Sequence, residues 1–320
     1  MFRDYRVAYA RKNVAIKEAK PLTFLRQSVS YMLSHSARNI PHAAGITHFD
    51  VTPLVEYGKD STSKKAEDLD DKALYRRSLH RNFSAFFLKA IAHGLRHTPS
   101  LNGFLEYSLY RNGGTLYQAE DINLSFTVHT NWGVVRPIVR NAHLKTIEDV
   151  SNEMRTLARK ARRTDPDELY FKAARTYAGY ALRELDLRAL PGLWMWMRSL
   201  FFPRSKAAPD LAEVAEDEKL QVEDILGATC TLANIGMMVT GHQTVTVIIP
   251  PEVLMFGIGD LHLAPMVVNG EVVPRWVVTF CMTMDHRAFD AGEAFPLYRY
   301  LKSYINEPSL LYDWKPGDEI

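Results

Sequence analysis

One stretch near the end of the chain constrains its fold more than any other. Phe280-Cys281-Met282-Thr283-Met284 is a strand-forming run, and it passes without a break into Asp285-His286-Arg287-Ala288-Phe289-Asp290-Ala291-Gly292. Aromatic and β-branched residues suit the pleated surface of a sheet. The sequence therefore delivers His286 straight from a strand end, with Asp290 four residues on. His286 reads as a general base, because an imidazole with an ordinary pKa of about 6.5 can accept and return a proton at neutral pH. A single histidine is more often a hydrogen-bonded core residue; the surrounding Asp-His-Arg-x-x-Asp pattern reverses that preference here.

Bulk properties narrow the field around this feature. The 320 residues suffice for one large domain or two small ones. Their 47% hydrophobic and 24% charged content is that of an ordinary soluble globular protein. A formal charge of +2, from 39 basic and 37 acidic residues, lacks the strongly basic balance that a nucleic-acid interface needs. Cys230 and Cys281 cannot build a disulfide framework and lack the spacing of a zinc site; they are expected in strands as small buried hydrophobes. No metal is expected. The N-terminus lacks the apolar core of a signal peptide, and no run of eighteen or more apolar residues offers a membrane span. The expected location is cytoplasmic.

Along the chain, residues 1–21 form an expected N-terminal arm, and residues 22–320 one domain. Leu25, Val29, Met32 and Leu33 have amphipathic-helix spacing within Leu22–Ser36, and a strand is expected over Ile46–Thr52. Residues 58–81 read as an exposed, lysine- and aspartate-rich excursion, partly helical towards Leu79. A helix capped by Asn82 or Ser84 follows and ends near Thr98-Pro99. Strands are expected over Phe104–Leu109, Gly114–Gln118, Ile122–Val128 and Val134–Val139, then a helix behind the capping box Thr146-Ile147-Glu148-Asp149. No glycine loop of the nucleotide-binding kind is present. Residues 164–218 differ in character: Asp165-Pro166 opens a helix with an apolar stripe, Leu190–Pro203 carries Trp194 and Trp196, and Asp210–Glu218 is acidic. The remainder returns to strands over 225–233, 243–249, 254–258, 266–268 and 276–284, then a helix over Gly292–Tyr304.

The order of these elements resembles the catalytic core of dihydrolipoyl acyltransferases from 2-oxoacid dehydrogenase complexes, over most of residues 22–311. The likeness rests on Ile40-Pro41-His42, Phe49-Asp50-Val51-Thr52, Phe87-Leu88-Lys89-Ala90, Pro99-Ser100-Leu101-Asn102 and Ile122-Asn123-Leu124. It continues through Gly133-Val134-Val135-Arg136-Pro137-Ile138, Asp224–Thr229, Asn234-Ile235-Gly236, Pro251-Glu252-Val253 and the Asp285–Asp290 stretch. Arg136 stands where that family usually has an apolar residue. The resemblance implies an α/β fold of the chloramphenicol acetyltransferase-like kind, an α+β two-layer sandwich. Its mixed central sheet would be packed with helices, and 164–218 would be an extra helical insertion.

It also implies a reaction. His286 would take a proton from an incoming thiol as that thiol attacks an acyl thioester, by direct transfer without an acyl-enzyme. Asp290 would hold the site together, with Arg26 a candidate salt-bridge partner. Where the family places a serine or threonine hydroxyl to steady the oxyanion, this chain has Ala233; Thr231 or the amide of Asn234 could substitute. Coenzyme A is the implied co-substrate, in a channel between subunits of a homotrimer or a larger assembly. The chain is expected to carry no lipoyl group of its own, so a separate lipoyl or acyl-carrier protein, free coenzyme A or a small molecule must serve. The 190–203 run could touch a membrane interface, line a pocket for a long acyl chain, dock a carrier, or simply pack on the surface. Two other functions remain open: a non-catalytic trimeric assembly module, and a specialised-metabolism enzyme that acylates an amine or hydroxyl or condenses acyl units.

Overall fold

The computed structural model describes residues 5–62, 71–108, 112–183, 208–211, 213–236, 243 and 245–318. Helix α1 (Tyr5–Asn13) buries no residue. Helix α2 (Phe24–Asn39) starts at Thr23, whose hydroxyl accepts the Arg26 N–H and so satisfies one of the free donors of a helix start. Strand β1 (His42–Asp50) follows. The chain then turns into helix α3 (Thr52–Thr62) rather than continuing extended to Thr52, with Pro53 in the first turn where its missing N–H costs nothing. Helix α4 (Asp71–His97) begins eleven residues before Asn82, so much of the expected excursion is helix.

Strands β2 (Gly103–Ser108) and β3 (Gly113–Gln118) form a separate hairpin. Then come β4 (Leu124–Phe126), β5 (Val128–Thr130), β6 (Gly133–Val135) and β7 (Ile138–Val139). Helix α5 (Ile147–Arg162) carries the expected capping box, with reciprocal bonds between Thr146 and Asp149. Helix α6 (Pro166–Arg183) opens the 164–218 segment; the Leu190–Pro203 run lies outside the described residues.

Strand β8 (Cys230–Asn234) is shorter than expected, because residues 225–229 are turn and irregular backbone following a 3-10 turn at 222–224. Residues 245–249 have no backbone ladder partner among the described residues. Strands β9 (Leu254–Val268) and β10 (Glu271–Asp285) run through the gaps expected between shorter strands. Pro265 and Pro274 face each other across this ribbon. At a non-hydrogen-bonded pair neither lost N–H is needed, so two prolines do not end the ladder. Asn269 and Gly270, at φ 53° and 87°, make the two-residue turn that the twist of a hairpin favours. Helices α7 (Ala291–Asn306) and α8 (Ser309–Tyr312) close the chain.

The main sheet has the order β1-β10-β9-β8-β4-β7 and is mixed: β9–β8 and β8–β4 are parallel, the other pairs antiparallel. One face carries Leu232, Phe256 and Phe280 into the principal core, with Phe86, Phe87 and Ile91 of α4 and Leu297 and Leu301 of α7. Phe280 stacks on Phe87 at 6.0 Å and lies 5.7 Å from Phe256. The other face is polar along Thr231, Thr279 and Thr283, and bears a small cluster of Ala233, Ile40, Ile248 and Met255. Cys230 and Cys281 are buried free thiols, and burial pushes the Cys230 thiol well above its usual pKa.

Candidate functional site

β10 delivers the site. Its last residue, Asp285, donates its N–H to Val253 C=O at 2.9 Å, and the next amide, His286, donates to Pro41 C=O at 3.0 Å. These bonds turn the chain away from the sheet with the imidazole half in solvent: the His286 side chain is 48% exposed. Asp290 then starts α7, its N–H held by the Glu293 carboxylate at 2.9 Å. That placement leaves Asp290 Oδ1 3.2 Å from His286 Nδ1. A carboxylate beside Nδ1 favours the proton there and leaves Nε2 as the lone-pair nitrogen.

Two further residues frame this turn, and the motif reading gave neither a role. The buried Asp285 carboxylate accepts from the Arg287 backbone N–H at 3.0 Å, from Nε at 2.9 Å and from Nη2 at 2.6 Å. Arg287 Nη1 reaches Asn39 C=O at the end of α2 (2.8 Å), and its guanidinium lies 5.2 Å from the Tyr107 ring of β2. The signal was present: opposite charges two residues apart at a strand end point to the same side. Arg26, by contrast, is exposed and forms no ion pair with any described residue. The Asp290 carboxylate pairs with His286 instead.

The oxyanion candidates lie elsewhere. Ala233 pairs with Gly257, and Gly257 with Cys281. Two strand spacings of about 4.8 Å and about five residues of ~3.4 Å thus put Ala233 roughly 20 Å from His286 of the same chain. Thr231 is fully buried, and its hydroxyl donates to Glu252 Oε2 at 2.6 Å. The Asn234 side-chain amide faces the opposite side of the sheet and donates to Ser84 Oγ at 2.8 Å.

Thr231 belongs to a buried polar network. Arg136 Nη1 donates to Glu252 Oε1 at 3.1 Å and to Thr231 Oγ1 at 3.2 Å, and Ser125 Oγ lies 2.6 Å from Thr231 Oγ1. Burial pushes the Glu252 carboxyl up, opposed by the Arg136 charge and the Thr231 hydroxyl. Burial works against the Arg136 cation too, but the facing Glu252 holds its pKa above the usual value. Among the described residues no group of His, Cys, Asp and Glu is arranged to hold a metal ion, and no helix is long and apolar enough to cross a membrane.

Comparison with known proteins places this geometry in a family. The catalytic-domain model of the 2-oxoacid dehydrogenases acyltransferase family matches residues 15–169 and 201–312. The acetyltransferase component of the Staphylococcus epidermidis pyruvate dehydrogenase complex is 25% identical over 288 residues, covering 90% of this chain. That alignment spans 51% of the relative, so the chain corresponds to about half the length of the curated proteins it matches. A solved Azotobacter vinelandii dihydrolipoamide acetyltransferase superposes with a TM-score of 0.66 at 21% identity, covering 94% of this chain and 96% of the other. The cubic core of a pyruvate dehydrogenase multienzyme complex superposes with a TM-score of 0.65 at 20% identity, again over 94% and 96%. From the family match and these shared elements, the chain belongs to the 2-oxoacid dehydrogenase acyltransferase family, as a catalytic domain.

Proposed function

We propose that this protein transfers an acyl group between coenzyme A, or a carrier thioester, and a thiol or related nucleophile, with His286 as general base. The observation that carries the reading is the Asp290 carboxylate 3.2 Å from Nδ1 of a half-exposed His286. Nε2 takes the proton of the incoming thiol as its sulfur attacks the thioester carbonyl carbon. The tetrahedral intermediate then collapses, the carbon–sulfur bond to coenzyme A breaks, and the departing thiolate recovers the proton from the imidazolium. Asp290 steadies the imidazolium meanwhile, and no covalent acyl-enzyme forms.

The spacing within one chain supports an assembly of several copies. A reacting carbonyl must lie about 3 Å from each group that acts on it, whereas His286 and Ala233 are roughly 20 Å apart along the sheet. This spacing supports a homotrimer in which β8 of another copy lies against the exposed side of His286 and Asp290. The cubic core of the related complex fits this, because cubic symmetry contains three-fold axes.

A second reading is favoured by Ala233 itself: with no hydroxyl there, and that of Thr231 committed to Glu252, the chain would be a trimeric assembly module with little or no catalysis. Incubation of the purified protein with acyl-coenzyme A and dihydrolipoamide separates the two. Turnover that disappears in His286→Ala supports the transferase; equal rates in both proteins support the assembly module.

A further inference from the structure

Helix α6 departs from the family: the matched segments stop at residue 169 and resume at 201. Tyr170 is the first unmatched residue; it packs against the principal core, and its hydroxyl helps hold the Arg136 guanidinium protonated. Arg136 in turn is bonded to Glu252 and Thr231, as described above. We propose that Arg136 is a positioning residue through which α6 sets the geometry of the acyl-transfer site, an inference that rests on the function proposed above.

The route is short at both ends. Glu252 is almost fully buried, and its neighbour Val253 supplies the carbonyl that holds the Asp285 N–H at 2.9 Å. Asp285 carries the Arg287 ion pair, and His286 sits between those two residues. A shift of Glu252 is thus passed through one peptide unit to the turn that presents the base. Thr231 takes the same displacement into β8, two residues before Ala233 and on the same face of the strand. One guanidinium therefore touches the segment that braces the His286 turn and the strand that carries Ala233.

The outer end is anchored as well. The Asp167 carboxylate on α6 accepts the N–H groups of Phe24 (3.2 Å) and Leu25 (2.8 Å), and Phe171 packs edge-on against Phe24 at 5.7 Å. α6 is held against the start of α2 and against Arg136, so motion of the helix is not absorbed by a loose joint. Buried polar networks with every member bonded admit few alternative arrangements. A load on α6 is then expressed as altered spacing between Glu252, Thr231 and their strands.

Amide exchange of the 320-residue chain tests this without assuming activity. The amides of Asp285 and His286 are followed in three proteins: unmodified, Tyr170→Phe, and Arg136→Met combined with Glu252→Met. The paired replacement removes both charges together, so no lone charge is left buried. Exchange at the two amides should accelerate about ten-fold in the paired variant and about three-fold in Tyr170→Phe, with protection of the Phe256 and Phe280 amides unchanged. In an active preparation kcat should fall in the same order, while KM for the acyl thioester stays within about two-fold. Unchanged exchange at Asp285 and His286 in a folded paired variant overturns the proposal. If that variant does not fold, unchanged exchange in Tyr170→Phe, where the ion pair is intact, overturns it. Lack of turnover in the unmodified protein counts against the transferase reading alone, because the exchange result stands without it.

Discussion

Replacing Ala233 with serine puts a hydroxyl at the β8 position where the resemblance calls for an oxyanion donor. Loss of one such donor typically lowers kcat by about 10²–10³, and that range bounds what the substitution can restore. The structure sets the opposing cost. Ala233 is 5% exposed and packs with Ile40, Ile248 and Met255, whose side chains offer no acceptor stronger than the weak Met255 thioether. A hydroxyl with no partner in such surroundings costs about 1–3 kcal/mol. It comes out of folding stability, because the unfolded chain solvates the same group. Ala233→Ser should therefore be less stable to urea by that amount and faster in kcat by about 10², the lower end of the range. The assay is acyl transfer from acyl-coenzyme A to dihydrolipoamide, followed by thioester absorbance, beside an unfolding curve for each protein. A folded Ala233→Ser protein with unchanged kcat refutes the argument that the missing hydroxyl limits the rate.

Two predictions concern the scaffold. Asp285→Ala leaves the half-buried Arg287 guanidinium without its carboxylate and should cost about 3–5 kcal/mol in urea unfolding; a loss below about 1 kcal/mol would place the His286 turn under other control. His93 is buried, and burial, reinforced by the nearby Lys89 charge, lowers its pKa to about 3. The unfolded chain therefore binds the extra proton between about pH 6.5 and 3, and stability falls as pH drops through that window but not above it. His93→Phe should make the acid limb of the stability curve shallower by roughly 1.4 kcal/mol per pH unit there. Parallel acid limbs for the two proteins would sink the assignment.

How much of this was legible in sequence follows from how local each feature is. The strand into His286, the Asp290 spacing, the Thr146–Asp149 box and the start of α6 at Pro166 are each written within a few residues, and each lies where the pattern put it. Prolines 265 and 274 misled the strand reading, since whether a proline breaks a ladder depends on the residue across from it. Arg136 and Glu252 are 116 residues apart, and no periodicity joins them. Thr231 shares a strand face with Ala233 as alternation requires. Only the folded structure shows that Glu252 already takes its hydroxyl proton.

The separation between His286 and Ala233 leads to one more test, which combines the base and the oxyanion strand. Chains carrying His286→Ala together with Ala233→Ser have no base and should be inactive alone. Unmodified chains have the base but no hydroxyl. If each site is built within one chain, mixing the two can only dilute the activity of the unmodified protein. If each site takes its histidine from one copy and β8 from the next around a ring, some sites in a mixed assembly hold an intact His286 opposite an Ala233→Ser strand. In a random equal mixture the histidine donor is unmodified in about half the sites, and its neighbour carries the serine in about half of those. Co-refolded equal mixtures should then reach about one quarter of the Ala233→Ser rate per site, well above the unmodified protein. Activity no greater than that of the unmodified chains, in mixtures shown by native mass spectrometry to contain mixed assemblies, would return both halves of the site to a single chain. The roughly 20 Å between them along the sheet would then have to be closed by breaking the register that β9 keeps with β10 on one side and β8 on the other.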